Sequence, residues 1–343
     1  MNSNERTMIA MSHSEPDRVP LFLSLTHYGA RELQISVKEY FSKPENVVTA
    51  QLRMKDKYNN DCVFPFFYSA IEVEAFGGEV IFLDEGPPNS GEPLIKSIED
   101  IRKLEVPKIE DSKCLRQILD VTKMLKERVG DSTPIIGVVI SPFALPIMQL
   151  GFEKYLEVLY FRQDYFEELM LINKKFCIMW ANAQLEAGAT AICYSNPLAS
   201  PTILEKEKYM SAGYNVDKQT LANIKGSTAI HLASGIALPV IEEIISTGVA
   251  GIGFSAKDDL EEIKKAAQNK ICLIGNLNAL EMVNWNSQKV EAEIKNVIAK
   301  AGRGGGLILS DNHGEIPWQV PEDVLFEISE TVQRFGTYPL KWV

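Results

Sequence analysis

The chain has 343 residues, enough for one large domain or two ordinary ones. Its 45% hydrophobic and 24% charged content is that of a globular protein with a sizeable core. A formal net charge of −11, uninterrupted by any basic stripe, excludes nucleic acid as a partner, because nothing would neutralise phosphates. No apolar run is long enough to span a bilayer, so no membrane role is expected. The start, "MNSNERTMIAMSHSEPDRVP", lacks the apolar centre of a secretion signal. Cys62, Cys114, Cys177, Cys193 and Cys272 are scattered without a C-x-x-C pair, which suggests neither a disulfide framework nor a zinc ribbon. The expected setting is the reducing cytoplasm.

Short apolar runs recur between longer helical patterns. Behind an N-terminal extension, "RVPLFLSL" (18–25) precedes a helix over 44–58, and "DCVFPF" (61–66) follows. "EVIFLDEGPP" (79–88) reads as a strand ending in a turn. A helix over 113–129 leads to "PIIGVVIS" (134–141), and a long helical region over 150–187 leads to "TAICYSN" (190–196). "STAIHLAS" (227–234), "VAGIGFS" (249–255), "KICLIGN" (270–276) and "GLILSDN" (306–312) complete the series. The runs are unbroken rather than alternating, as in a parallel sheet covered on both faces. The exits "EAGAT", "STGVAG" and "KAGRGGG" carry the glycine expected just past a helix end. Setting aside 79–88, the count is eight strands alternating with helices, the number that closes a barrel. The competing doubly wound sheet lacks a G-x-G-x-x-G after its first strand. With no internal linker, the expectation is a single α/β domain over 1–343, a (β/α)₈ TIM barrel with an N-terminal extension.

In such a barrel, chemistry sits where strands end and loops begin. His27 and Tyr28, Phe143, Asn196, His231, Asn278 and Asp311–His313 hold those positions. Three of the four histidines are among them. Each has a plainer reading beside the functional one. His231 suits a core imidazole bonded to a backbone carbonyl, and Asn196 and Asn278 suit turns. Phe143, Phe66, Phe67 and Trp318 either wall an aromatic substrate or fill space. The 150–187 region reads as core or as a homodimer contact.

Seven segments in order carry a resemblance: "EPDRVPL" (15–21), "EAFG" (74–77), "SPFALP" (141–146), "NPLASPTIL" (196–204), "IHLASG" (230–235), "GNLNALEM" (275–282) and "DNHGEIPWQVPEDVL" (311–325). Over nearly its whole length the chain resembles the uroporphyrinogen decarboxylase superfamily, and within it the corrinoid-linked methyltransferases. The resemblance implies a (β/α)₈ barrel. The decarboxylases bind a substrate with eight carboxylates through arginines near the N-terminus. Here "SLTHYGA" has no arginine until Arg31, although such a site needs fixed cations. The thiol methyltransferases hold zinc with an H-x-C motif and a later cysteine. Here the first is "HLA", with Ala233 for the cysteine, and the second is "NHG", with His313.

Zinc on two imidazoles and an oxygen is a stronger Lewis acid than zinc on two thiolates, so the exchange points from sulfur to oxygen chemistry. "GPPNSG" (86–91) and the C-terminal segment look similar to the methyltransferase component of aryl methyl ether O-demethylases. That implies methyl transfer from a small methoxyarene to the Co(I) corrinoid (cobalamin) of a partner protein docking at the barrel's C-terminal face. No D-x-H-x-x-G corrinoid module occurs in this chain. The implied zinc ligands are His231 and His313, with Asp311, Glu315 or Glu74 as the third, and His313 serves equally as an acid. His231, His313 and Asp311 are the implied catalytic residues; His27, Tyr28, Phe143, Asn196, Asn278 and Trp318 are the implied substrate contacts. The rival readings are a corrinoid-dependent enzyme for a thiol or tetrahydrofolate, a decarboxylase relative, and a degenerate binding barrel.

Overall fold

A computed structural model describes residues 1–267 and 269–343. Its strands are β1 (Leu21–Phe22), β2 (Val80–Ile81), β3 (Asn89–Ser90), β4 (Ile136–Ile140), β5 (Ala191–Ser195), β6 (Ser227–His231), β7 (Gly251–Gly253), β8 (Cys272–Leu277) and β9 (Leu307–Asp311). Seven of them form one parallel sheet in the order β1-β9-β8-β7-β6-β5-β4. Residues 61–63 stand between its two edges: Val63 bridges Ile135 in parallel, and the Asp61 N–H donates to Leu21 O at 2.8 Å. The curled sheet therefore has eight positions and is the (β/α)₈ barrel expected.

The differences are local and have a cause. The first two positions keep little strand because side chains take over ladder bonds there: Leu21 N–H donates to Asp61 Oδ2 (2.9 Å), and Leu23 N–H to Asn60 Oδ1 (2.8 Å). Pro20 and Pro65 also supply no N–H. The 79–88 run is not a barrel strand. It contributes β2 to a small antiparallel hairpin with β3, outside the barrel. The long helical region breaks at Arg162 into helices Phe152–Phe161 and Gln163–Glu186.

The N-terminal extension forms α1 (Ser3–Met11). Asn2 Oδ1 accepts the Glu5 N–H, and Glu5 accepts the Asn2 N–H, a reciprocal capping box. Gly306 N–H donates to Ala10 O at 2.9 Å, holding α1 under the N-terminal end of the barrel. The main core lies between sheet and helices. A smaller cluster inside the barrel contains Phe22, Cys62, Phe64, Cys272 and Ile308, with Met11 of α1 packed against it. No helix among the described residues is long and apolar enough to cross a membrane.

Glu72, in the helix Ile71–Ala75, is buried in this core. Its Oε1 accepts the Ile140 N–H at 2.9 Å, while Oε2 has no partner. Burial pushes its pKa up from 4.5 to about 8. Unfolded chains lose this proton near 4.5 and folded chains near 8, so the fold binds more protons between them. Stability is then lost as pH rises through that window, at about 1.4 kcal/mol per pH unit. Glu72→Gln is expected to raise the melting temperature only slightly at pH 5 and much more at pH 9. Equal shifts at both pH values would show that Glu72 is ionised in the fold.

Candidate active site

His231 ends β6 and lines a cavity of about 320 Å³ inside the barrel, as do His313, Gly314 and Glu315 beyond β9. Two consecutive left-handed residues, Ala233 (φ 46°) and Ser234 (φ 69°), turn the chain back after His231. That conformation costs energy for non-glycine residues and persists where surrounding contacts hold it. Here Ser234 N–H donates to Asn312 O at 2.8 Å, and Gly235 N–H to Leu232 O at 3.0 Å. The turn aims the Ala233 N–H at His231 Nδ1, 3.1 Å away. Nδ1 is thus an acceptor, which places the neutral ring's hydrogen on Nε2. Burial lowers the His231 pKa below 6.5 and His313 adds to that, against the opposing pull of Asp311. Protonating Nδ1 would also oppose two N–H groups. His231 is therefore a neutral imidazole at pH 7, offering an N–H donor. Glycine is required beside it: a Cβ on Gly253 would stand 2.7 Å from His231 Cδ2, and one on Gly314 2.9 Å from Cε1.

His313 is exposed at the mouth, its Nδ1 3.1 Å from Ser234 Oγ. Glu315 Oε1 is hydrogen-bonded to both Thr26 Oγ1 and His27 Nδ1. His27 is buried, its Nε2 is unpartnered, and its ring stacks on Trp318 with centroids 6.1 Å apart.

Zinc does not fit this donor set. Among the described residues no three His, Cys, Asp or Glu side chains converge on a point that could hold a metal ion. Asp311 spends Oδ1 on the Ser24 N–H (3.0 Å) and Oδ2 on the Gly314 N–H (2.8 Å), which makes it a brace for the loop carrying His313. Glu315 Oε1 is taken by Thr26 and His27, and Glu74 Oε2 accepts from Tyr68 at 2.7 Å. Glu74 does not line the cavity. The two imidazoles share the cavity mouth without a third ligand beside them.

The other expected substrate contacts divide. Phe66 lines the cavity; Phe67, Phe143 and Tyr28 are buried in the surrounding core, where Phe143 meets Tyr155, Phe166 and Tyr209. Tyr28 donates to Val320 O at 3.1 Å. Asn196 is 0% exposed and donates to Asp217, which also accepts from Tyr194 and Tyr209. Burial raises the Asp217 pKa to about 6 despite those three bonds. Asn278 borders a separate polar hollow with Asp258, Asp259 and Glu281. Neither His27 nor Trp318 lines the cavity: Trp318 stacks on His27, which is bonded to the lining residue Glu315. Sequence reasoning missed Thr26, Ser69, Cys193 and Ala229 in the lining. Alternation would have found two of them: in β5 and β6, the residues two positions apart that share a face with Ser195 and His231 are Cys193 and Ala229.

An eight-position barrel with an interior cavity opening beside polar side chains at its C-terminal strand ends is an enzyme's architecture. The chain belongs to the uroporphyrinogen decarboxylase family, whose model, uroporphyrinogen decarboxylase (URO-D), matches residues 2–335. It is 23% identical over 328 residues to the methylcobamide:CoM methyltransferase MtaA of Methanosarcina barkeri, covering 93% of this chain and 94% of that one. It is 25% identical over 348 residues to the uroporphyrinogen decarboxylase of Geobacter sulfurreducens, covering 97% and 99%. Among solved structures, a methyltransferase from Methanosarcina mazei superposes with a TM-score of 0.87 at 20% identity, covering 98% of this chain and 99% of that one.

Proposed function

We propose that this chain is a corrinoid-dependent methyltransferase that takes the methyl group of a small aryl methyl ether and delivers it to a corrinoid held by a partner protein at the barrel's C-terminal face. The carrying observation is the cavity's chemistry: no Lys or Arg lines it among the described residues, while His231 and His313 stand at one end. A porphyrinogen with eight carboxylates, or an anionic thiol such as coenzyme M, would need cations there. A neutral methoxyarene needs only apolar walls, and Phe22, Phe64, Phe66 and Ile308 supply them.

The partner's corrinoid supplies the nucleophile; the remaining tasks fall to this chain. The apolar wall holds the ring and excludes water, which strengthens every dipole inside. As the methyl–oxygen bond breaks, its electron pair stays on the aryl oxygen. His231 Nε2–H meets that developing charge, held in its tautomer by the Ala233 amide. Exposed at the mouth, His313 brings a proton to the phenolate as it leaves.

The test is a panel of methoxyarenes mixed with reduced corrinoid protein, following cobalt absorbance and phenol release. Loss of the Co(I) signal matched by phenol is expected, and undiminished activity after exhaustive chelation, because the donors do not converge on a metal. A panel in which no methoxyarene consumes Co(I) would refute the proposal. Zinc at one per chain, with activity lost on its removal, would return the two imidazoles to the role of ligands.

A further inference from the structure

The cavity does not stop at the mouth. It is lined by His231 and Glu315 at the C-terminal ends of the strands and by Thr7 and Met11 of α1 at the opposite end. Ser227 and His231, the first and last residues of β6, both border it, so it runs about 13 Å along the strand. A (β/α)₈ interior is normally filled by layers of bulky branched side chains. Here one side cannot fill it: the lining residues of β5–β7 include Ala191, Cys193, Ser227, Ala229 and Gly253. Across the barrel, Phe22 and Phe64 stay large. The result is an apolar shaft, uncharged below the level of Glu315 and longer than one ring with its methoxyl.

We propose that this shaft is a binding subsite for an apolar chain carried by the methoxyarene, with the ring beside His231 and the chain directed down the barrel toward Met11. The proposal rests on the aryl methyl ether reading and narrows it to ring-alkylated substrates. Ala229 sets the width of the shaft and Met11 its depth.

Calorimetry on the intact chain, without corrinoid protein, separates this inference from the reading beneath it. The probes are 2-methoxyphenol and 2-methoxy-4-propylphenol. Burial of three further carbons should tighten binding of the propyl compound by about tenfold or more. Ala229→Leu, placed across the shaft, should erase most of that ratio, with its unfolding curve checked against wild type. Met11→Ala, which deepens the floor, should extend the preference to 2-methoxy-4-pentylphenol. Equal affinities in the wild type, or a ratio untouched by both substitutions, would overturn the subsite. If 2-methoxyphenol is still demethylated, the methyltransferase reading survives that result. A propyl preference that Ala229→Leu removes, in a chain that demethylates neither these probes nor any other methoxyarene of the panel, would uphold the subsite and overturn the methyl transfer.

Discussion

Asp61→Ala is expected to destabilise the fold by about 3–5 kcal/mol, the usual effect of removing one partner from a buried ion pair. Asp61 is 1% exposed, and its carboxylate organises everything around the barrel's closing seam. Arg6 Nη1 of α1 donates to Oδ1 and Arg18 Nη1 to Oδ2, both at 2.7 Å; Arg18 Nη2 also reaches Oδ1 at 3.2 Å, and Ser3 Oγ and the Leu21 N–H complete the set. Truncation leaves two guanidinium groups without that counter-charge and the Leu21 N–H unpaired. Arg6 keeps Asp17, which is partly exposed, so Arg18 bears the larger loss. Asp61→Asn should fall between, since its oxygen still accepts one donor but no longer balances charge. Denaturant unfolding with all three proteins checks this. An Asp61→Ala chain within 1 kcal/mol of wild type would mean the seam is held by packing alone. Because a buried ion network is weak evidence for net stability, Asp61→Leu with Arg6→Met and Arg18→Met should recover much of the loss.

That seam also shows where the sequence could and could not be read. The six strands β4–β9 were legible because an unbroken apolar run has one good home, a parallel sheet covered on both sides. The first two positions looked alike in sequence, yet Asn60 and Asp61 replace backbone ladder with side-chain bonds, which no apolar pattern encodes. His231 and His313 were legible as strand-end imidazoles, and the structure brings both to the cavity mouth. Their neighbours were harder, since a position at a strand end does not say which side of the sheet it faces. Ser195 pairs with His231 across the ladder and lines the cavity, so Asn196 must face outward, where it meets Asp217. That neither Asp311 nor Glu315 completes a metal site was illegible for a different reason. Asp311 and Glu315 satisfy the alternation expected of ligands, but both Asp311 oxygens are claimed by the Ser24 and Gly314 N–H groups, and Glu315 Oε1 by Thr26 and His27; all of these except Gly314 lie far away in the sequence.

His231→Ala is expected to lower methyl transfer by roughly 10²–10³-fold, the usual loss when one preorganised donor to a developing oxyanion is removed. Most of the loss should fall on kcat, with KM little changed, because the charge that Nε2–H meets exists only as the bond breaks. His231→Gln, which restores an N–H donor without the ring, should recover part of the rate. The pH profile separates donor from acid. With its pKa lowered below the ordinary 6.5 by burial, His231 stays neutral through the alkaline range, so its contribution to kcat should be flat above pH 7. An imidazolium acid would instead lose activity as pH rose through its pKa. On the acid side the sign reverses for stability: the unfolded chain binds the His231 proton first, so folding weakens as pH falls below 6.5. A kcat that declined steadily from pH 6 to 8 in wild type and became pH-independent in His231→Gln would make His231 a proton donor. A His231→Ala chain with wild-type kcat would move the stabilisation of the leaving oxygen to another group, and the buried, unpartnered Nε2 of His27 would be the next to replace.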